Sequence, residues 1–95
     1  MRICLSPSFL ADLDDMTDQA ARHRPADASV ALDHLRAVCR EALALHPTLG
    51  RRRPELGRRR RSLPVGDRTL LYSHDPDAEE LRLDRLLGHE ETALR

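Results

Sequence analysis

Ninety-five residues make one small domain, spanning 1–95, that is long enough to fold alone and too short for two cores. With 40% hydrophobic and 34% charged residues the chain has an ordinary globular composition, while an aromatic content of 2% nearly excludes a platform that stacks bases. The formal net charge of zero hides a segregation: residues 51–68 hold eight Arg against two acids, whereas residues 1–50 hold five Arg against seven acids and residues 69–95 hold three against seven.

In chain order, residues 1–5 are short and apolar with Ile3 and Leu5 on one side, which predicts a first strand. Ser6 and Pro7 have the residue types of a helix cap and first helical position. Phe9, Leu13, Met16 and Ala20 then recur at helical spacing, with Asp12, Asp14, Asp15 and Asp18 between them facing water. A second helix starts at Pro25 or Ala26 and carries the stripe Ala28, Ala31, Leu35, Val38, Ala42, Leu45 and Leu49, widened by Leu32 and Cys39. His46-Pro47 marks its end, because the residue before a proline disfavours helical geometry.

Residues 50–57 are bracketed by glycines and contain Pro54, which predicts a loop. Three strands follow over 58–65, 68–74 and 79–87, separated by turns at Gly66-Asp67 and Asp75–Ala78. Alternation places Arg59, Arg61, Leu63 and Val65 on one face of the first, and sets Leu81, Leu83 and Arg85 against Arg82, Asp84 and Leu86 in the last. The order β-α-α-β-β-β predicts an α+β domain in which a helical hairpin packs on a small antiparallel sheet that cannot cover its own apolar face.

No apolar run is long enough for a membrane span, and the first residues lack the profile of a signal peptide. Two cysteines are too few for a disulfide framework, so a reducing, cytoplasmic setting is expected. Cys4 and Cys39 read as packing thiols. No metal or other cofactor is expected: His34 and Cys39, five apart on a helix, point roughly 140° from each other. All sixteen basic residues are Arg, which supplies planar bidentate donors but no lysine to act as a base.

The segment Gly50–Tyr72, GRRRPELGRRRRSLPVGDRTLLY, resembles the RelE/ParE superfamily of type II toxin–antitoxin toxins, and most closely its ParE branch. Gly50, Arg51, Pro54, Glu55, Leu56 and Gly57 fit a loop of the form GRxRPELG. Arg61, Ser62, Pro64, Val65 and Gly66 fit the following strand and turn, Tyr72 the closing tyrosine, and Leu83, Arg85, Leu86 and Leu87 the last strand. The resemblance runs over essentially the whole chain. Two positions depart from it: Gly88-His89 leads into the acidic Glu90-Glu91 where the family has a basic tail, and Asp84 stands where an apolar residue is usual, which suggests a last strand facing water on one side.

The resemblance implies the toxin half of a module neutralised by a cognate ParD-like antitoxin, acting on DNA gyrase by binding rather than by its own chemistry. No catalytic residue is then needed, and no sequence-specific nucleic-acid contact is expected. Arg51, Arg52, Arg53, Arg58, Arg59, Arg60 and Arg61 become candidates for gripping antitoxin or target carboxylates; the same block also reads as a binder of nucleic-acid phosphate or as a solvated loop and edge strand protected from aggregation by charge. The alternative is a RelE-like ribosome-dependent mRNA endonuclease, for which Arg61, His74, Arg85 and His89 would have to converge. A third reading is a degenerate toxin that only binds antitoxin. Tyr72 is expected in the core, with Arg61 or Arg85 as a partner for its hydroxyl.

Overall fold

A computed structural model describes residues 1–23 and 25–88. The elements are β1 (Arg2–Leu5), α1 (Pro7–His23), α2 (Pro25–Ala37) continuing into a π-helical turn (Val38–Leu43), then β2 (Arg51–Arg52), β3 (Arg60–Val65), β4 (Arg68–Asp75) and β5 (Glu80–Leu87). They form one sheet in the order β1-β5-β4-β3-β2. The expected helical hairpin on a small sheet is present. The sheet is mixed rather than wholly antiparallel, because β1 joins β5 in parallel with Ile3 opposite Leu81 and Leu5 opposite Leu83. Two residues of the expected loop also pair with β3 as the edge strand β2.

The helices cover one face of the sheet. Phe9, Met16, Leu35, Cys39 and Leu43 meet Val65, Leu70, Tyr72, Leu81, Leu83 and Leu86 in a single core, with Leu13, Ala31, Leu32, Val38 and Leu63 at its margin. Cys39 packs there as expected, and burial pushes its thiol pKa up; Cys4 is half-buried. The side chains of Ala20 and Ala28 lie outside the described residues. Ser6 caps α1 by accepting the Phe9 amide at 3.0 Å, and its hydroxyl donates to the Asp84 carbonyl at 2.8 Å, so one side chain fastens the start of α1 to β5.

Two irregularities correct the sequence pattern. In the π-turn the Ala44 amide reaches back to the Cys39 carbonyl at 3.1 Å, an i→i+5 bond. This looser winding changes the phase of the stripe: Leu43 is completely buried, while Leu45 is 71% exposed and Leu49 51% exposed. The expected apolar positions Leu45 and Leu49 are therefore not core.

The second irregularity is a bulge in β5. Tyr72 lies opposite Leu83 but Leu71 lies opposite Arg85, so Asp84 is an extra residue in the ladder. Beyond the bulge the alternation reverses, which brings Leu86, rather than Arg85, onto the helix face beside Leu70. Asp84 does not face water as the pattern suggested; it is 4% exposed.

Candidate interaction site on the arginine-rich end of the sheet

The arginine block occupies β2, the connection after it, and the start of β3. Backbone bonds from Arg53 N to Arg60 O (2.9 Å) and from Leu56 N to Arg53 O (3.0 Å) close this hairpin, so seven guanidinium groups emerge from a short length of ordered backbone. Intrachain carboxylates divide them. Arg53 pairs with Glu55, Arg59 with Asp75 at 2.7 Å, and Arg60 lies 3.6 Å from Asp84. The Arg53 guanidinium holds the Glu55 carboxyl below its ordinary range. Asp75 is held low first by the Ala78 amide, which with the charge of Arg59 and the Asp77 amide outweighs the opposing effect of burial.

Arg61 faces the helix side of the sheet. It donates to the Gly50 carbonyl at 2.9 Å and to that of Thr48 at 3.3 Å. Among the described residues no carboxylate pairs with Arg51, Arg52 or Arg58. Arg52, Arg58, Arg59, Arg60 and Arg61 line an open depression of about 270 Å³ together with His74, Thr48 and Pro76. Cationic groups around an open hollow, offset among the described residues by Asp75 at Arg59 and Asp84 at Arg60, form a seat for carboxylates supplied by a partner.

Tyr72 is wholly buried, as expected, but its partners differ from the expected arginines. The hydroxyl donates to the Pro47 carbonyl and accepts the Gly50 amide, each at 2.8 Å. Arg61, opposite Tyr72 in the ladder, binds carbonyls of the same loop instead. Burial pushes the phenol pKa up, partly offset by the Gly50 amide and the charge of Arg61, so the hydroxyl stays protonated and remains a donor.

Of the residues named for a nuclease, Arg61 and His74 border the same depression. Arg85 is elsewhere: it grips Asp12 of α1 through two bonds of 2.7 and 3.1 Å and borders a separate hollow on the outer face. His89 lies outside the described residues, as does the acidic tail. Sequence reasoning missed the structural part of Asp12, which also accepts the Leu86 amide at 2.9 Å; the only signal was an acid on a helix already rich in them. Among the described residues no group of His, Cys, Asp or Glu is placed to hold a metal ion, and no helix is long and apolar enough to cross a membrane.

The family model for the ParE toxin of the type II toxin–antitoxin system parDE matches residues 3–93. No curated protein sequence matches the chain. Among solved structures, the chromosomal ParDE TA system from P. aeruginosa has a similar fold, with a TM-score of 0.72 and 20% identity over 93% of this chain and 95% of that one.

Proposed function

The chain belongs to the ParE toxin family, and from that membership we propose that it inhibits DNA gyrase in the cytoplasm by binding, and that a ParD-like antitoxin releases this inhibition by docking on the arginine-rich end of the sheet. Its role is that of the toxin component of a type II toxin–antitoxin module, and an antitoxin is its partner. The match over residues 3–93 carries the functional reading. The docking site rests on charge: among the described residues Arg51, Arg52 and Arg58 hold no intrachain carboxylate, while Arg53, Arg59 and Arg60 already do. An acidic antitoxin segment completes the first group through bidentate pairs and displaces little of the second.

Action by binding fits the state of the candidate catalytic groups. Arg85 is committed to Asp12, the Tyr72 hydroxyl is committed to backbone, and the chain has no lysine. The test is plasmid supercoiling by purified gyrase with and without the protein, scored for supercoiled and linear DNA. Inhibition with accumulated linear plasmid, reversed by antitoxin, is the expected result. No effect at large excess rejects gyrase as the target. Cleavage of ribosome-bound message would then favour the endonuclease, and soluble expression without growth arrest would favour a toxin that only binds antitoxin.

A further inference from the structure

The outer face of the sheet, opposite the helices, carries a cationic cluster that shares only Arg60 with the docking site. Arg60, Ser73 and Arg82 stand in one row across β3, β4 and β5, since Ser73 is opposite Arg60 on one side and Arg82 on the other. The bulge sets Asp84 beside this row. Its carboxylate takes the Arg82 Nε at 2.8 Å and the Ser73 hydroxyl, with the Arg60 Nε at 3.6 Å. The side chain of Asp84 is 5% exposed, whereas those of Arg60 and Arg82 are 35% and 54% exposed. Among the described residues no hydrogen bond engages the Nη groups of either arginine. They border a hollow of about 380 Å³ that Ser6, Ser8, Leu71 and Arg85 complete.

Two guanidinium groups and a hydroxyl converging on one point make a receptor for an oxyanion. A carboxylate taken out of water is tolerated only because those donors surround it. We propose that Arg60, Arg82 and Ser73 form an oxyanion seat on the outer face whose occupant is the chain's own Asp84, so that the face is closed to phosphate groups and opens to them when that carboxylate is lost. Asp84 satisfies the Arg82 Nε donor, lies within ion-pair distance of the Arg60 Nε, and cancels one of the two charges. A phosphate entering the wild-type hollow meets the remaining Nη donors against a fixed negative charge a few ångströms away. Substitution of Asp84 removes that repulsion and vacates the seat, while Arg82 and Arg60 stay in register on their strands. The inference does not depend on gyrase as the target.

The test titrates the full-length chain with inorganic phosphate at constant ionic strength, following the arginine Nε–H signals by NMR. In the wild type the signal of Arg82 is expected to be protected from solvent exchange, and those of both Arg60 and Arg82 to respond to phosphate without saturating. Asp84→Asn and Asp84→Leu, the second placing an apolar side chain beside Leu71, are expected to bind phosphate at least about tenfold more tightly. Adding Arg82→Gln to either is expected to abolish the gain. A parallel titration with hexathymidylate separates the sources: a gain for both probes assigns the seat to backbone phosphates, and a gain for inorganic phosphate alone assigns it to a free anion. The proposal is overturned if a folded Asp84 variant binds phosphate no more tightly than the wild type, if the gain survives Arg82→Gln, or if the Arg82 Nε–H exchanges freely in the wild type.

Discussion

The Tyr72 ring and the Gly50 backbone are in direct contact: the hydroxyl accepts the Gly50 amide at 2.8 Å, and a Cβ built on Gly50 would lie 2.7 Å from both the Tyr72 Cε1 and the Tyr72 oxygen. The same Cβ would lie 2.9 Å from the Ser62 carbonyl, so backbone as well as side chain blocks it. Glycine is required here for close approach, which explains why it opens the arginine-rich segment. Gly50→Ala is expected to destabilise the chain by about 1–3 kcal/mol through overpacking. Tyr72→Phe is expected to lose about 1–3 kcal/mol because the Gly50 amide and Pro47 carbonyl are left without their partner. Urea unfolding followed by circular dichroism measures both, and a neutral result at Gly50 would mean that the loop moves aside.

The π-turn makes a prediction that a regular helix reverses. Leu43 has no exposed surface and Leu45 is 71% exposed. Leu43→Ala is expected to cost about 2–5 kcal/mol through lost burial and the cavity left behind. Leu45→Ala is expected to stay within about 0.5 kcal/mol of the wild type. A helix that continued in phase beyond Val38 would bury Leu45 and give it the larger effect.

These two sites mark where the sequence was readable and where it was not. The stripe through Phe9, Leu13 and Met16 and the apolar run of β4 follow from periodicity, because each residue there contributes to a regular repeat. The π-turn and the β5 bulge each break the repeat by a local change in backbone winding or an added residue, and period counting carries the old phase past the break. Leu45 and Leu86 were misplaced for that one reason. Asp84 stood out as an acid in an apolar strand, yet its burial depended on Arg60 and Ser73 from two other strands, a convergence that exists only once the sheet has formed. The arginine block was plain in composition. Its division into paired and unpaired groups was not, because Asp75 and Asp84 come to Arg59 and Arg60 from later in the chain.

The Asp12–Arg85 contact ties α1 to β5 and makes stability depend on pH. Burial favours the neutral acid, but the Arg85 guanidinium, the Leu86 amide and the charges of Arg85 and Arg68 outweigh it and hold the Asp12 carboxyl below its ordinary value. The folded chain therefore binds fewer protons than the unfolded chain in the interval between the two pKa values. This stabilisation is present in full above the unfolded value of about 3.9 and is lost as pH falls through the folded one. Asp12→Asn is expected to lower stability by about 1–3 kcal/mol at pH 7. It should also flatten the dependence below about pH 4. Denaturation curves across pH 2–7 (a range spanning both values) check this, and an unchanged acid limb in the variant would remove Asp12 as its source.

The unpaired arginines lead to a salt-dependent prediction about antitoxin binding, measured by calorimetry with purified antitoxin. Arg58 has no intrachain carboxylate among the described residues, so Arg58→Gln removes a charge that only a partner can use. It is expected to weaken binding by roughly two- to fivefold at low salt, the scale of one partly exposed ion pair. The loss should shrink as ionic strength rises and screening removes the attraction. Arg61 behaves differently because its guanidinium binds the Thr48 and Gly50 carbonyls. Arg61→Gln loosens the loop that carries Gly50 toward Tyr72, and this loss does not depend on screening. It is expected to lower thermal stability and to weaken antitoxin binding to the same extent at low and high salt. If Arg58→Gln leaves affinity unchanged at low salt while Arg61→Gln shows the salt dependence, the seat for the antitoxin lies on the Arg61 guanidinium and the division by intrachain carboxylates does not select the docking residues.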